Sequence, residues 1–126
     1  MAYCEAVTPC FAVANIEETM AWYEQHFAFS ADPFPAKSPF VFCILRRDEV
    51  EIMLQRVEGY AKPNLYQLRP GGVWDAYIRV TEVKDIYEAV RDKVEVIQPL
   101  HRQLYGQTEF EVKDPNGYVL VFSEET

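Results

Sequence analysis

The chain of 126 residues is 49% hydrophobic and carries 20 acidic against 12 basic side chains, a formal net charge of −8. That length supports one core and is too short for two ordinary domains, and the negative charge repels a phosphate backbone, so no nucleic acid partner is expected. No run of 18 apolar residues occurs, and MAYCEAVTPC lacks the basic and then apolar stretch of a signal peptide, so a cytoplasmic protein with no membrane partner is expected. Cys4, Cys10 and Cys43 are odd in number and show no C-x-x-C spacing, which argues against a disulfide framework and for small buried side chains.

A short alternating strand over 9–13 opens the chain. Asn15, followed three residues later by Glu18, makes a capping box, and Ile16, Met20, Tyr23 and Phe27 then recur along one face of a predicted helix. Period-two segments follow at 40–45 and 50–55, with Asp48-Glu49 as the turn between them. The segment RVEGYAKPNLYQLRPGGV, 56–73, has two prolines, three glycines and no period. It reads as a linker or lid, and Tyr60, Leu65, Tyr66 and Leu68 suggest that it packs against something, such as a second subunit. A second short strand at 76–80 leads into a second helix, with Val83, Tyr87, Val90 and Val94 as its stripe and Asp85 in its first turn. Further strands are predicted at 94–99, 109–113 and 118–123, the last two joined through Asp114-Pro115-Asn116-Gly117, a strong turn signal.

The two halves repeat one another. Laid on 78–96 at an offset of 67, residues 11–29 place Phe11 on Ile78, Val13 on Val80, Ile16 on Val83, Tyr23 on Val90 and Phe27 on Val94. At an offset of 68, residues 42–55 fall on 110–123, Phe42 on Phe110 and Leu54 on Phe122, so one inserted residue separates the two alignments. The chain therefore reads as one domain over 1–126, with a first βαβββ module at about 5–56, a linker at about 57–73 and a second module at about 74–126.

PCFAVANIEETMAWYEQHFAF, YIRVTEVKDIYEAV and YGQTEFEVKDPNGYVLVF carry a resemblance over nearly the whole chain. They resemble the opening strand and helix of each half, and the closing G-x-x-x-F-x-V-x-D-P-x-G-x-x-L-x-F signature, of the glyoxalase/bleomycin-resistance/extradiol dioxygenase (vicinal oxygen chelate) superfamily. The resemblance implies an α+β fold in which two tandem βαβββ modules form a curved eight-stranded mixed sheet around a cleft. It also implies helices on the convex side and, frequently, a homodimer.

Alternation distributes side chains about that cleft. Pro9, Phe11 and Val13, with Ala76, Ile78 and Val80, pack under the helices, leaving Thr8, Cys10 and Ala12, with Asp75, Tyr77 and Arg79, on the cleft side. A three-residue closing turn puts Glu109, Glu111, Val119 and Val121 inward too, and the matching first-half residues are Cys43, Glu51 and Met53. Metal-dependent relatives take His, Gln or Glu ligands from the opening and final strand of each half, which by position are Thr8, Met53, Asp75 and Val121. Only Asp75 ligates strongly, and a register shift of two adds only Glu51. His26 on the first helix and His101 ahead of Tyr105 do not complete a set, so neither a metal nor another cofactor is expected.

No G-x-S-x-G, G-x-x-x-x-G-K-[ST] or G-x-G-x-x-G motif occurs. The reading is a small-molecule-binding protein similar to the metal-free bleomycin-resistance branch. Glu51, Asp75, Glu109 and Glu111 would draw a cationic ligand, and Tyr77, Tyr105 and Tyr66 would stack on it. Arg79 is the dissenting charge, which would suit an anionic group and is also a partner for Asp75. The alternative is a lyase, isomerase or dioxygenase of the same superfamily that uses cleft carboxylates or a metal, with Asp75 as the candidate base.

Overall fold

The computed structural model of the chain describes residues 1–125; Thr126, which closes the second module, lies outside the described residues. These residues form β1 (Cys10–Val13), α1 (Ile16–Phe27), β2 (Ser30–Phe34), β3 (Phe42–Arg47) and β4 (Val50–Arg56), then β5 (Ala76–Arg79), α2 (Val83–Val90), β6 (Glu95–Arg102), β7 (Gln107–Lys113) and β8 (Val119–Glu125). The strands pair as two open mixed sheets of four, ordered β1-β4-β3-β2 and β5-β8-β7-β6. The α+β class and the βαβββ modules are as expected, with each module making its own hydrogen-bonded ladder. Among the described residues no helix is long and apolar enough to cross a membrane.

Local chemistry accounts for the helix starts. The Asn15 side chain accepts a 2.8 Å hydrogen bond from the Glu18 N–H, and Ile16, Thr19, Tyr23 and Phe27 are the buried stripe of α1. At α2 the N-cap Glu82 takes a left-handed conformation and offers no side-chain cap. Glu124 of β8 supplies one instead, accepting from the backbone N–H groups of Glu82 at 2.9 Å and Val83 at 3.1 Å. The helix ends at Val90, so Val94 packs on the core from the segment ahead of β6. Strand β2 is an element the sequence reading did not single out. It lies at a sheet edge and carries Pro33, whose missing N–H is tolerated there but blunts the strand signal.

A single apolar cluster spans both modules. Phe27 of α1 stacks on Phe122 of β8 with ring centroids 4.7 Å apart, and Phe110 of β7 stacks on Phe122 at 5.3 Å. Burying each such ring contributes on the order of 2–3 kcal/mol. The modules are also joined by polar groups. The fully buried Tyr23 hydroxyl donates to Asp114 at 2.8 Å, Asn116 Nδ2 donates to Thr19 at 2.9 Å, and the Tyr118 hydroxyl donates to the Ala12 carbonyl at 2.7 Å. The Tyr118 ring lies flat on Phe11, centroids 4.1 Å apart. Of the cysteines only Cys43 is buried; Cys4 and Cys10 are exposed, a correction to the expected burial of all three.

Strand pairing locates the inserted residue. Met53 pairs with Cys10 and Ile44, while Val121 pairs with Tyr77 and Glu111. The offset is therefore 67 through β1 and β3 and becomes 68 at β4, inside the β3–β4 hairpin. Arg46 and Glu51 are bridged by residues 47–50, whereas Lys113 and Val119 are bridged by 114–118, which is one residue longer. A shift of one residue turns every side chain to the other face. Cys43 consequently pairs with Leu54 on the helix side and is fully buried, and Phe42, Ile44 and Arg46 occupy the opposite face.

Asp114 also accepts from the backbone N–H groups of Asn116 at 2.8 Å and Tyr118 at 2.9 Å. Asp114→Ala strands three donors, one of them the buried Tyr23 hydroxyl, and is expected to cost about 3 kcal/mol, with Asp114→Asn milder because it keeps an acceptor. Urea unfolding midpoints of the two variants check this.

Candidate ligand-binding site

The sheet faces turned away from the helices carry most of the polar residues expected of a cleft. On the first module Cys10 and Met53 sit side by side, and the Thr8 hydroxyl donates to Glu51 at 3.4 Å. Arg46 binds the other Glu51 oxygen at 2.9 Å and reaches Asp32 at 3.6 Å, so Glu51 and Asp32 are already paired, in exposed contacts that contribute little to stability.

The second module concentrates its polar groups around Glu109, whose side chain is 1% exposed. Tyr105 donates to Oε1 at 2.6 Å, Gln103 to the same oxygen at 3.1 Å and Tyr77 to Oε2 at 2.8 Å. Burial works against this charge, but hydrogen bonds from Tyr105, Tyr77, Ser123 and Gln103 outweigh it and hold the Glu109 pKa below the usual carboxylate value. Gln103 Nε2 also lies 2.7 Å from His101 Nε2, and His101 Nδ1 lies 2.7 Å from the Pro99 carbonyl. With the Gln103 amide as donor, the imidazole proton belongs on Nδ1. Bulges in β6 around Gln98 bring His101 opposite Glu109 despite the proline beside them.

Glu111, two residues on and equally turned away from α2, behaves oppositely. Burial raises its pKa, the nearby Glu109 charge adds to that, and the Tyr66 hydroxyl bond at 3.0 Å only partly offsets both. Desolvation and this bond push Tyr66 itself up to about 12, so it stays a donor. Tyr105 is likewise displaced upward, by desolvation first and by its bond to Glu109.

Two residues of the linker complete the floor. Lys62 pairs with Asp75 at 3.3 Å and lies 5.3 Å over the Tyr118 ring, while Tyr66 lies against Gly72, where an added Cβ would fall 2.2 Å from its ring. The linker therefore covers part of the second module's face. Asp75 also accepts from the Val119 N–H at 2.8 Å, so its expected partner Arg79 is displaced by Lys62. Arg79 has no ion-pair or hydrogen-bond partner among the described residues.

Of the residues singled out from sequence, Glu51, Asp75, Tyr77 and Arg79 meet in a groove of about 480 Å³ between the start of β4 and β5. Its volume is that of a small-molecule site. Tyr77 joins this groove to the Glu109 cluster, and Tyr105 stands 58% exposed beside it. Val121 is fully buried on the same face, and Cys43 lies on the other side of its sheet. Trp74, 40% exposed with its ring 5.6 Å from Tyr77, and Lys62, Gln103 and Ser123 were not anticipated. Trp74 lies just before the alternating strand and Lys62 and Gln103 lie in aperiodic segments, where alternation carries no signal; Ser123 shares the parity of Val119 and Val121 and was legible.

The positions that hold a metal in metal-dependent relatives do not fit one here. Met53 and Val121 offer no hard donor, the Thr8 hydroxyl is turned to Glu51, and Asp75, whose Oδ2 takes both Lys62 and the Val119 N–H, is left as a single strong ligand. Among the described residues no three His, Cys, Asp or Glu side chains converge as a ligand set.

The profile of the Glyoxalase/Bleomycin resistance protein/Dioxygenase superfamily matches residues 5–122. The chain belongs to that superfamily. Similar solved structures include TioX from Micromonospora sp. ML1, 17% identical over 98% of this chain and 100% of that one, with a TM-score of 0.76. The bleomycin-binding protein of Streptomyces verticillus, complexed with copper(II)-bleomycin, is 18% identical over 100% of both chains at 0.71. A glyoxalase-related enzyme from Clostridium phytofermentans is 13% identical over 99% of this chain and 98% of its own at 0.77. At these identities the likeness is one of fold. No curated protein matches the chain.

The opposed carboxylates of this superfamily member give opposed pH effects. Glu111→Gln keeps an acceptor for Tyr66 and removes a buried charge, so it is expected to be more stable than the parent at pH 7. The folded pKa of Glu111 lies above 4.5, so this gain shrinks as pH falls through the folded value and is gone below about 4.5. Glu109→Gln is expected to lose about 1.5–3 kcal/mol at pH 7. Its folded pKa lies below 4.5, so that loss persists down to about 4.5 and fades as pH falls further through the folded value. Urea midpoints between pH 7 and pH 3 read both trends.

Proposed function

We propose that this chain is a metal-free small-molecule-binding protein that sequesters a cationic, aromatic-bearing antibiotic over the second module's tyrosine-flanked carboxylates. The observation that carries this reading is Glu109, an ionised and buried carboxylate whose two tyrosine donors keep partly exposed rings. A phenol that donates to a carboxylate has a more electron-rich ring face, and such a face attracts a cation. Trp74 enlarges the stacking surface, and the net charge of −8 steers a cation toward it. The bleomycin complex of the Streptomyces verticillus protein supports bleomycin as the first ligand to try. We place the protein in the cytoplasm as a homodimer whose second copy covers exposed Leu104 and leaves the Tyr105 ring open to the ligand.

A second reading, a glyoxalase-like lyase or isomerase, is favoured by the raised pKa of Glu111 beside the lowered one of Glu109, the arrangement of a proton donor next to a fixed anion. In it Glu111 and not Asp75 is the proton-transfer group, since Asp75 Oδ2 is held by Lys62 and the Val119 N–H. Turnover that is lost in Glu111→Gln while ligand binding persists would select this reading.

Calorimetric titration of EDTA-treated protein with bleomycin is expected to give saturable heat at low salt that weakens at moderate salt. Tyr105→Ala is expected to weaken binding by roughly tenfold, the loss of one stacking and cation contact. Absence of heat at both salts overturns the bleomycin assignment, and unchanged affinity in Tyr105→Ala removes the site from this face.

A further inference from the structure

The repeat makes two junctions between the modules, and they are not alike. At one, the five-residue turn 114–118 reaches β1 and α1, and the Tyr118 ring fills the space above Phe11. At the other, the four-residue connection 47–50 faces β5 and α2, and Val50 stands where the repeat places Tyr118. One residue fewer and a smaller side chain leave that space open. It is a groove of about 700 Å³, whose apolar surface comes from Phe29, Val50, Ile78, Ile86 and Phe122.

The residues around the groove are the counterparts of those that hold Tyr118 and its turn. Ile78 corresponds to Phe11, Arg79 to Ala12 and Ile86 to Thr19. On β5 the Val80 N–H bonds Ser123 on β8, so by strand alternation the Arg79 carbonyl points to the open edge of the sheet. That is the position from which the Ala12 carbonyl accepts the Tyr118 hydroxyl at 2.7 Å.

We propose that this groove binds a small neutral phenol. Its ring takes the place that Tyr118 takes at the other junction, and its hydroxyl donates to the Arg79 carbonyl. Glu49, Glu82 and Asp85 outnumber Arg79 at the rim, and Arg47 already bonds the Phe27 carbonyl at 2.8 Å, so an anionic phenol analogue is disfavoured. This groove adjoins the Tyr77 groove, with which it shares Glu49, Val50, Ile78 and Arg79, but Phe29, Val80, Ile86 and Phe122 line it alone, and the proposal does not rest on the function proposed for the Tyr77 and Tyr105 face.

The test is a titration of the ¹⁵N-labelled chain with p-cresol, the tyrosine side-chain analogue, followed by amide chemical shifts. Saturable shifts centred on Phe29, Val80, Glu82 and Ile86, which do not line the Tyr77 groove, are expected, with toluene, which lacks the hydroxyl, binding about fivefold more weakly. Val50→Tyr restores the missing ring from within the chain and is expected to abolish those shifts. Shifts that map to Tyr77 and Tyr105 instead, no saturable shifts, or p-cresol binding undiminished in a folded Val50→Tyr would overturn the proposal. Should that variant fail to fold, the map on the parent chain decides.

Discussion

The buried hydrogen bond from Tyr23 to Asp114 is the constraint on which the rest of the molecule depends. A four-stranded sheet with one helix on it leaves apolar surface uncovered, and neither module has enough of its own to close a core. The second module's turn crosses to the first, and Asp114 can be buried only because Tyr23 and two backbone N–H groups satisfy its oxygens. Burial nonetheless leaves its pKa above the usual aspartate value, so the joint is held by geometry more than by charge. Once Asp114 is seated, Tyr118 falls on Phe11 and Phe122 falls between Phe27 and Phe110.

Much of this was legible in the sequence because both halves bury the same apolar positions. Ile16, Tyr23 and Phe27 against Val83, Val90 and Val94 mark two helices by periodicity alone, and Asp114-Pro115-Asn116-Gly117 marks the last turn by its chemistry. The weaker Asp48-Glu49 turn hides a difference of one residue, so an offset of 68 matches the repeat at β4 and is one step off at β3. That single step misplaced Cys43 and passed over Ile44 and Arg46. Strand parity is all or nothing, and a turn whose length is not written in its residues cannot fix it.

The candidate site was legible to the extent that it lies on strands. Glu109 and Glu111 alternate with Phe110 and Val112, and their face follows from that. Their opposite titration does not, because it depends on what arrives from elsewhere: two tyrosines and Gln103 at one carboxylate, a single linker tyrosine at the other. The linker residues Lys62 and Tyr66 could not be placed from sequence, since an aperiodic segment has no face until tertiary contacts give it one. Asp75 shows the cost of that gap: a carboxylate that alternation marks as free is bound by a lysine 13 positions earlier in the chain.

Duplication explains why one chain can hold both a tight joint and an open groove. The joint must satisfy every polar group it buries, which fixes Asp114, Tyr118, Tyr23 and Thr19 together. With the modules already welded there, the opposite junction is under no such demand, and Val50 and Ile86 can replace the tyrosine and threonine found at their counterparts without leaving a buried donor unpaired. The same freedom separates the two sheet faces. The first module pairs Glu51 and Asp32 with Arg46 at the surface, whereas the second keeps Glu109 ionised below exposed tyrosine rings. A buried anion supplied only with neutral donors keeps its field toward the surface, and a cation that stacks on those rings is the complement it lacks.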